Sequence, residues 1–391
     1  LANDSPRHRW HHNCHTRPPF WQGYIDKMRC RDLLAGQIQA NGPMHIDQFM
    51  QTALCHPEHG YYARRDRFGS AGDFITAPEI SQLFGEMMAG FLAYLWQASG
   101  QPDGPRMIRF EAGPGRGTLF GDMHKTCQKI CPPLSHADPY FLEASPFLRR
   151  HLTEKIAPLA PLFCDQIAQL PPKPLFGIAN EFFDALGVRQ ACFRRGRWFW
   201  RMIDIKEGGF IFADGAPLSL SEQESVFLPA SPKEGDIYEA SPLSEVYMAE
   251  ISRHIAYHGG GFLICDYGKS DGNGDSLQAI KSHAKTEMLT EPGEADITHL
   301  VDFSALARQA KAMGARLIGP VEQGAFLTEL GIISRAEALR KAGQPETDRL
   351  LSAALDRLCA PAHMGQIFKV ALLVPAGDGL PPGFATINDR A

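Results

Sequence analysis

The run Glu111-Ala-Gly113-Pro-Gly115-Arg-Gly117 holds the densest chemistry in the chain. It follows the short apolar stretch 107–112 and leads into Thr118, the strand, glycine loop and helix order of a nucleotide-type fold. Glycines at alternate positions let the backbone turn sharply off the strand and let a ligand approach the amides. Dinucleotide enzymes space this loop G-x-G-x-x-G, so that a helix N-terminus cradles a pyrophosphate. Here the spacing is G-x-G-x-G, and an acid stands two residues ahead of the first glycine. A carboxylate there repels a pyrophosphate but suits a sulfonium cofactor with an amino-acid end. The expected cofactor is therefore S-adenosyl-L-methionine, held by Glu111, Gly113, Gly115 and Gly117.

Four later acids stand at or just after the ends of apolar runs. Glu143 closes Tyr140-Phe-Leu142 and is the expected partner of the ribose hydroxyls, by analogy with the nucleotide-fold rule. It lies further from the loop than the usual spacing, so the intervening helix must carry extra turns; a solvated strand-end carboxylate is the other reading. Asp165, after Pro161-Leu-Phe-Cys164, is a candidate for the adenine side of the pocket. Asn180, Glu181 and Asp184 follow the apolar run 175–179, and ligands of open parallel sheets sit outside the carboxyl ends of strands. Asn180 is then a cofactor contact, and Glu181 and Asp184 overlook the reactive methyl group. A guanidinium keeps its charge to about pH 12 and above, so carboxylates must bind it in a fork and accept charge as a bond forms. Glu181 and Asp184 could form such a pair; capping the next helix is the alternative.

The elements that must carry these residues alternate. Runs at 107–112, 139–143, 175–180 and 262–266 read as strands separated by helical stretches, which predicts an α/β fold with a mostly parallel sheet covered on both faces. Residues 30–42, 44–55 and 79–98 have helical periodicity, the last with Thr76 as cap and Pro78 in its first turn. Aromatic and β-branched runs within 188–213 predict an antiparallel β insertion. The span 271–360 reads as polar loop and helix before a final strand at 366–374.

The chain has 391 residues, 44% of them hydrophobic and 21% charged, which excludes general disorder. A net charge of −5 argues against a nucleic-acid-coating role. No apolar run approaches the roughly 18 residues that span a bilayer. The nine cysteines are scattered without a C-x-x-C pair, so reduced thiols and no metal site are expected. Residues 1–27, where His8, His11, His12, Cys14 and His15 crowd together, read as a disordered leader or as a gene start extended upstream of Met28.

The runs His56-Pro-Glu-His-Gly-Tyr-Tyr62, Gly72-Asp-Phe-Ile-Thr-Ala-Pro-Glu-Ile-Ser81, Glu111 to Leu119 and Asn180-Glu-Phe-Phe-Asp-Ala-Leu186 resemble the MidA-type class I methyltransferases. Asp266-Tyr-Gly268, Asp296 to Phe303 and Gly365 to Lys369 do the same, so the likeness extends from about Leu33 to Val374. The family's mitochondrial members are complex I assembly factors that methylate an arginine of a core subunit. The resemblance implies a seven-stranded Rossmann-like class I sheet with an antiparallel last strand, bound S-adenosyl-L-methionine, and a protein acceptor arginine that is symmetrically dimethylated. It implies a NADH dehydrogenase (complex I) subunit as partner, and a cytoplasmic site in a bacterium or the mitochondrial matrix in a eukaryote. A homodimer is compatible with it.

Within the resemblance, Asp73 and Glu79 are candidate contacts to a cationic substrate, or else Gly72 to Glu79 is a structural lead-in to the helix. His283 and His299 rank below the carboxylates as residues bordering the acceptor channel. Ala112 replaces a usual Leu, a packing change. Gly187 replaces a usual Pro, which frees the acceptor loop and puts its rigidity in doubt. The expected organisation is a leader 1–27, an N-terminal helical region 28–105 and a cofactor-binding core 106–270 with the β insertion at 187–235. A substrate-side helical and loop region 271–360, a final strand 361–375 and a loose tail 376–391 complete it. Two competing readings are a NAD-dependent oxidoreductase, against which the glycine spacing counts, and a non-catalytic assembly factor on a methyltransferase scaffold, against which the intact loop and Glu143 count.

Overall fold

The computed structural model describes residues 29–64, 76–342, 345–377 and 379–384. The expected leader and Asp73 lie outside them. Among the described residues no helix is long and apolar enough to cross a membrane.

Seven strands build the central sheet: β1 (Ile108–Ala112), β2 (Asp138–Leu142), β3 (Leu162–Cys164), β4 (Leu175–Asn180), β5 (Gly260–Lys269), β6 (Ala315–Glu322) and β7 (Phe368–Pro375). Their order is β6-β7-β5-β4-β1-β2-β3, with the short strand Val301–Asp302 also pairing β5. β1 to β5 run parallel, and β7 is antiparallel to both β5 and β6. Every position of β1 and β4 is buried, as continuous apolar strands must be when helices cover both faces. Period-two alternation then splits the core. Ile178, Leu263 and Leu372 face the helices Gln82–Ala98 and Thr118–Ile130, while Ala179, Phe262, Ile264 and Leu373 face Pro242–His258 and Phe303–Ala312. Strand order reverses at β1 and β4, which places their carboxyl ends at the crevice where such sheets bind ligands.

The expected antiparallel insertion is larger than its 188–213 runs. Arg189–Arg194, Arg197–Lys206, Gly209–Pro217 and Ile237–Ala240 form one sheet, and Met44–His45 from the N-terminal region adds a fifth strand. Against it packs the helix Ile46–Cys55, whose buried Ile46, Phe49, Met50 and Leu54 join Val188, Ile203 and Ile297 in one apolar cluster. Three segments distant in sequence thus make a single wall.

Four expectations are corrected. The helix read as 79–98 is two pieces, Ala77–Ile80 and Gln82–Ala98, because Ser81 is extended and its Oγ accepts the Leu83 amide at 3.2 Å as a cap. The span 271–360 is not only loop and helix: it contains β6 and a three-stranded sheet of Gln278–Lys281, Ala284–Thr286 and Asp296–Thr298. β6 was hidden by Gly319-Pro320 inside its run; an edge strand tolerates the missing donor, and register shifts between Ile318 and Val321. The final strand begins at Phe368, since Met364–Ile367 is a helical turn. The tail is anchored in part, for Phe384 is fully buried against Phe91 and Phe326.

Gly187 does not loosen its loop. A Cβ there would lie 2.5 Å from the Asp47 carbonyl oxygen, so the glycine permits close contact with the start of helix Ile46–Cys55. The Gly187 carbonyl accepts the Ser241 hydroxyl at 3.0 Å, and Arg189 pairs with Asp47 at 2.8 Å. Gly187→Ala is expected to destabilise the protein by about 1–3 kcal/mol through overpacking. An unchanged urea midpoint would refute the close packing.

Candidate active site

At the end of β1 the chain turns through Gly113, Gly115 and Gly117 with φ of +67°, +51° and +70°, a conformation that L side chains rarely adopt. A Cβ at Gly113 would also come within 2.9 Å of the Phe182 ring, which ties the loop to the turn after β4. Gly117 caps Thr118–Ile130. The loop edges a cavity of about 310 Å³ whose walls include Glu111, Glu143, Asp165, Asn180 and Glu181. Tyr62 and Cys55 from the N-terminal region, and Tyr247 from the helix after the β insertion, close its other sides.

Glu111 is 3% exposed, and its Oε2 has no hydrogen-bond partner. Burial pushes its carboxyl up to about 8 against the opposing charges of Arg109 and Lys155. Glu143 accepts the Ser145 amide at 2.8 Å, and burial raises it to about 7 despite that bond. Arg149 donates to the Glu143 carbonyl and pairs with Asp165, linking the ends of β2 and β3 and leaving Asp165 on the exposed rim.

Glu181 has φ of +52° and is half-buried, its carboxyl accepting from Asn180 Nδ2 at 3.0 Å and from the Ala77 amide at 3.3 Å. Burial first, then the Asp266 charge, raises it to about 8. Asn180 Oδ1 is buried without a partner.

Not every expected residue meets at this wall. Asp184 is 4% exposed and is not among the cavity's lining residues, so its carboxyl does not form a fork with Glu181 there. Burial and the neighbouring Asp266 and Glu181 raise it well above the carboxylate range. Glu79 lines the cavity but is engaged by Thr118 Oγ1 at 2.6 Å and Arg116 at 3.3 Å, on the glycine-loop side. His283 is exposed. His299 is buried, its Nε2 2.9 Å from the Leu186 carbonyl and its amide donating to the Asp184 carbonyl, so it braces the loop instead of lining the channel.

Residue spacing missed Tyr62, whose hydroxyl donates to Asp296 at 2.8 Å and whose carbonyl accepts from Ser145 Oγ. It also missed the task of Asp266, buried at the end of β5 with Oδ2 accepting the amides of Phe182 at 3.1 Å and Phe183 at 2.8 Å. The strand-end rule that picked out Glu143 and Glu181 applies equally to Asp266 and could have found it.

The donor set fits S-adenosyl-L-methionine. Two orphaned buried acceptors, Glu111 Oε2 and Asn180 Oδ1, await donors such as an ammonium, and the acidic wall disfavours a pyrophosphate. Glu111 and Asn180 would hold the amino-acid end beside the glycine loop, with Glu143 placed for hydroxyls.

Comparison with known proteins agrees. Residues 87–321 match a family described as S-adenosyl-L-methionine-dependent methyltransferase. The chain is 34% identical over 373 residues to the mitochondrial protein arginine methyltransferase NDUFAF7 of Rattus norvegicus, covering 87% of this chain and 83% of that protein. It is 32% identical to the Homo sapiens protein of the same name, with 87% and 82% covered. In structure it matches a Burkholderia thailandensis superfamily member bound to S-adenosyl-homocysteine with a TM-score of 0.79, 24% identity, and 96% and 98% of the two chains covered. That likeness establishes the fold.

Glu111, Glu143, Glu181 and Asp266 all have raised proton affinity in the folded chain. Unfolded, they ionise near pH 4–4.5. The stability linked to them is therefore full below that range and is lost as pH rises through about 7–8. The unliganded protein should melt at a lower temperature at about pH 8.5 than at about pH 5.5, and Glu111→Gln should reduce that drop. A Glu111→Gln melting profile that follows wild type at both pH values would contradict the unpaired burial of Glu111.

Proposed function

The chain belongs to the S-adenosyl-L-methionine-dependent methyltransferase family, and from that premise we propose that it methylates a side-chain nitrogen of arginine in a protein substrate. The observation that carries the reading is the half-buried Glu181, whose side chain lines the same cavity as the glycine loop. The relatives named protein arginine methyltransferase support the acceptor class. The resemblance of Asn180 to Leu186 and its companion motifs supports a complex I-type subunit as substrate and symmetric dimethylation as product. It also supports a cytoplasmic location in a bacterium, or the matrix in a mitochondrion.

When bound, S-adenosyl-L-methionine supplies an electrophilic methyl group on a sulfonium. Glu111, Gly113, Gly115, Gly117, Glu143 and Asn180 hold it, with Asp165 at the rim. The protein's own task is to orient the acceptor and manage its charge. Glu181 accepts N–H groups of the guanidinium, fixes its plane and takes the proton that the nitrogen sheds as it gains carbon. Asp184, behind the wall, assists from the turn it shares with Glu181 and not by contact with the acceptor. Glu79 holds Arg116 and Thr118 at the loop, and Asp73 remains a candidate for the substrate side. In this reading residues 29–64 and 76–105, the insertion and the 271–360 region are the substrate side of the protein.

Glu181→Gln should bind S-adenosyl-homocysteine like wild type by calorimetry while transfer falls roughly 10²–10⁴-fold. Transfer is read as methylarginine by mass spectrometry, using extract from a strain lacking this gene as acceptor; full activity in the variant would sink the assignment.

A second expectation concerns pH. Burial and the Asp266 charge raise the Glu181 carboxyl to about 8, so kcat/KM for the acceptor should climb as pH rises toward that value. A profile flat from about pH 6 to about pH 9 would exclude Glu181 as the receiving group.

A further inference from the structure

The first amides of the turn that carries Glu181 are all held from β5. The Glu181 amide donates to the Cys265 carbonyl at 2.9 Å. The next three amides, Phe182, Phe183 and Asp184, converge on Asp266 Oδ2 at 3.1, 2.8 and 3.4 Å, and Asp266 Oδ1 accepts the Tyr267 amide at 2.9 Å. Two consecutive residues of β5 thus satisfy four consecutive amides of the turn that follows β4. Successive N–H groups turned toward one point form an anion nest, here filled by a side chain of the protein itself. Glu181, at φ of +52°, sits at the first corner of that nest. A glutamate keeps this conformation only where its surroundings over-determine it. Asp266 has no exposed surface and is not among the residues lining the cavity.

We propose that Asp266 is the positioning residue of the site: its carboxylate gathers the amides of residues 182–184 and so aims the Glu181 carboxyl into the cavity. The inference rests on Glu181 receiving the acceptor. Asp266 acts at a second level as well, because its charge opposes ionisation of Glu181. The other titratable groups facing Glu181 are Asp184 on the same turn, Cys265 and Tyr267 on β5, and Asp296 on the small sheet.

The test uses the full chain with Asp266→Asn, which keeps the shape, and Asp266→Ala, which removes the anchor. Calorimetry with S-adenosyl-homocysteine serves as the check that each variant is folded. Hydrogen exchange of the peptide spanning 180–186 should accelerate in both variants, more in Asp266→Ala, while the peptide over the glycine loop keeps its wild-type rate. In Asp266→Asn, methyl transfer to the same extract should fall roughly 10²-fold, mainly in kcat, as expected for a misplaced reacting group. The acid limb of the profile should move to lower pH, because one negative neighbour of Glu181 is gone. A purely structural role would slow the enzyme without moving that limb.

Unchanged exchange at 180–186, or altered exchange with wild-type transfer and an unmoved acid limb, overturns the proposal. So does loss of cofactor binding in step with transfer. If wild type yields no methylarginine, the arginine reading fails instead. The inference is then decided by exchange and by carbon-13 titration of the Glu181 carboxyl, whose midpoint must be lower in Asp266→Asn than in wild type.

Discussion

Burial of carboxyl groups at the carboxyl ends of parallel strands is the constraint on which the rest of this structure depends. Taking a carboxylate out of water is expensive unless hydrogen bonds or a cation compensate it. The protein compensates them unequally. Asp266 has backbone amides on both oxygens. Glu143 has the Ser145 amide. Glu111 keeps one oxygen without a partner, and Glu181 has only two donors. The best-satisfied group is the one hidden behind the wall, and the less satisfied ones face the cavity. That gradient suits a site whose visitors bring positive charge.

The unequal satisfaction depends on long-range assembly. Ala77, which donates to Glu181, stands just ahead of the helix Gln82–Ala98, and Tyr62 reaches Asp296 across 234 residues of sequence. The N-terminal helices, the β insertion and the small sheet share one apolar cluster. Gly187 belongs to that economy of space: lacking a Cβ, it brings the turn after β4 against the helix Ile46–Cys55.

Much of the cofactor side was legible in the chain. The alternate glycines with Glu111 ahead of them name both a backbone geometry and an acid, and the fold keeps the geometry and sets the acid at the cavity wall. Glu143 and Glu181 end apolar runs, and a run that ends in an acid is readable at any distance. The rest was less legible for definite reasons. β6 escaped because Gly319-Pro320 breaks its pattern, which only an edge position excuses. Phe384 escaped because a single aromatic in a Gly- and Pro-rich tail has no period to detect. Asp184 sits three residues from Glu181, but the φ of +52° at Glu181 and the amide nest after it send the two side chains to different places.

By itself the sequence determined the type of sheet, the class of cofactor and which strand ends bear acids, because periodicity and local residue type dictate those directly. Tertiary structure decided which acids face the cavity, which are spent on Arg116, Arg149 or backbone amides, and which residues stand opposite them. Those outcomes depend on hydrogen bonds and desolvation between residues 16 to 234 positions apart, the reach from Arg149 to Asp165 at one extreme and from Tyr62 to Asp296 at the other. A carboxyl group's surroundings, not its place in the chain, settle whether it is an anchor, a brace or a receiver of charge.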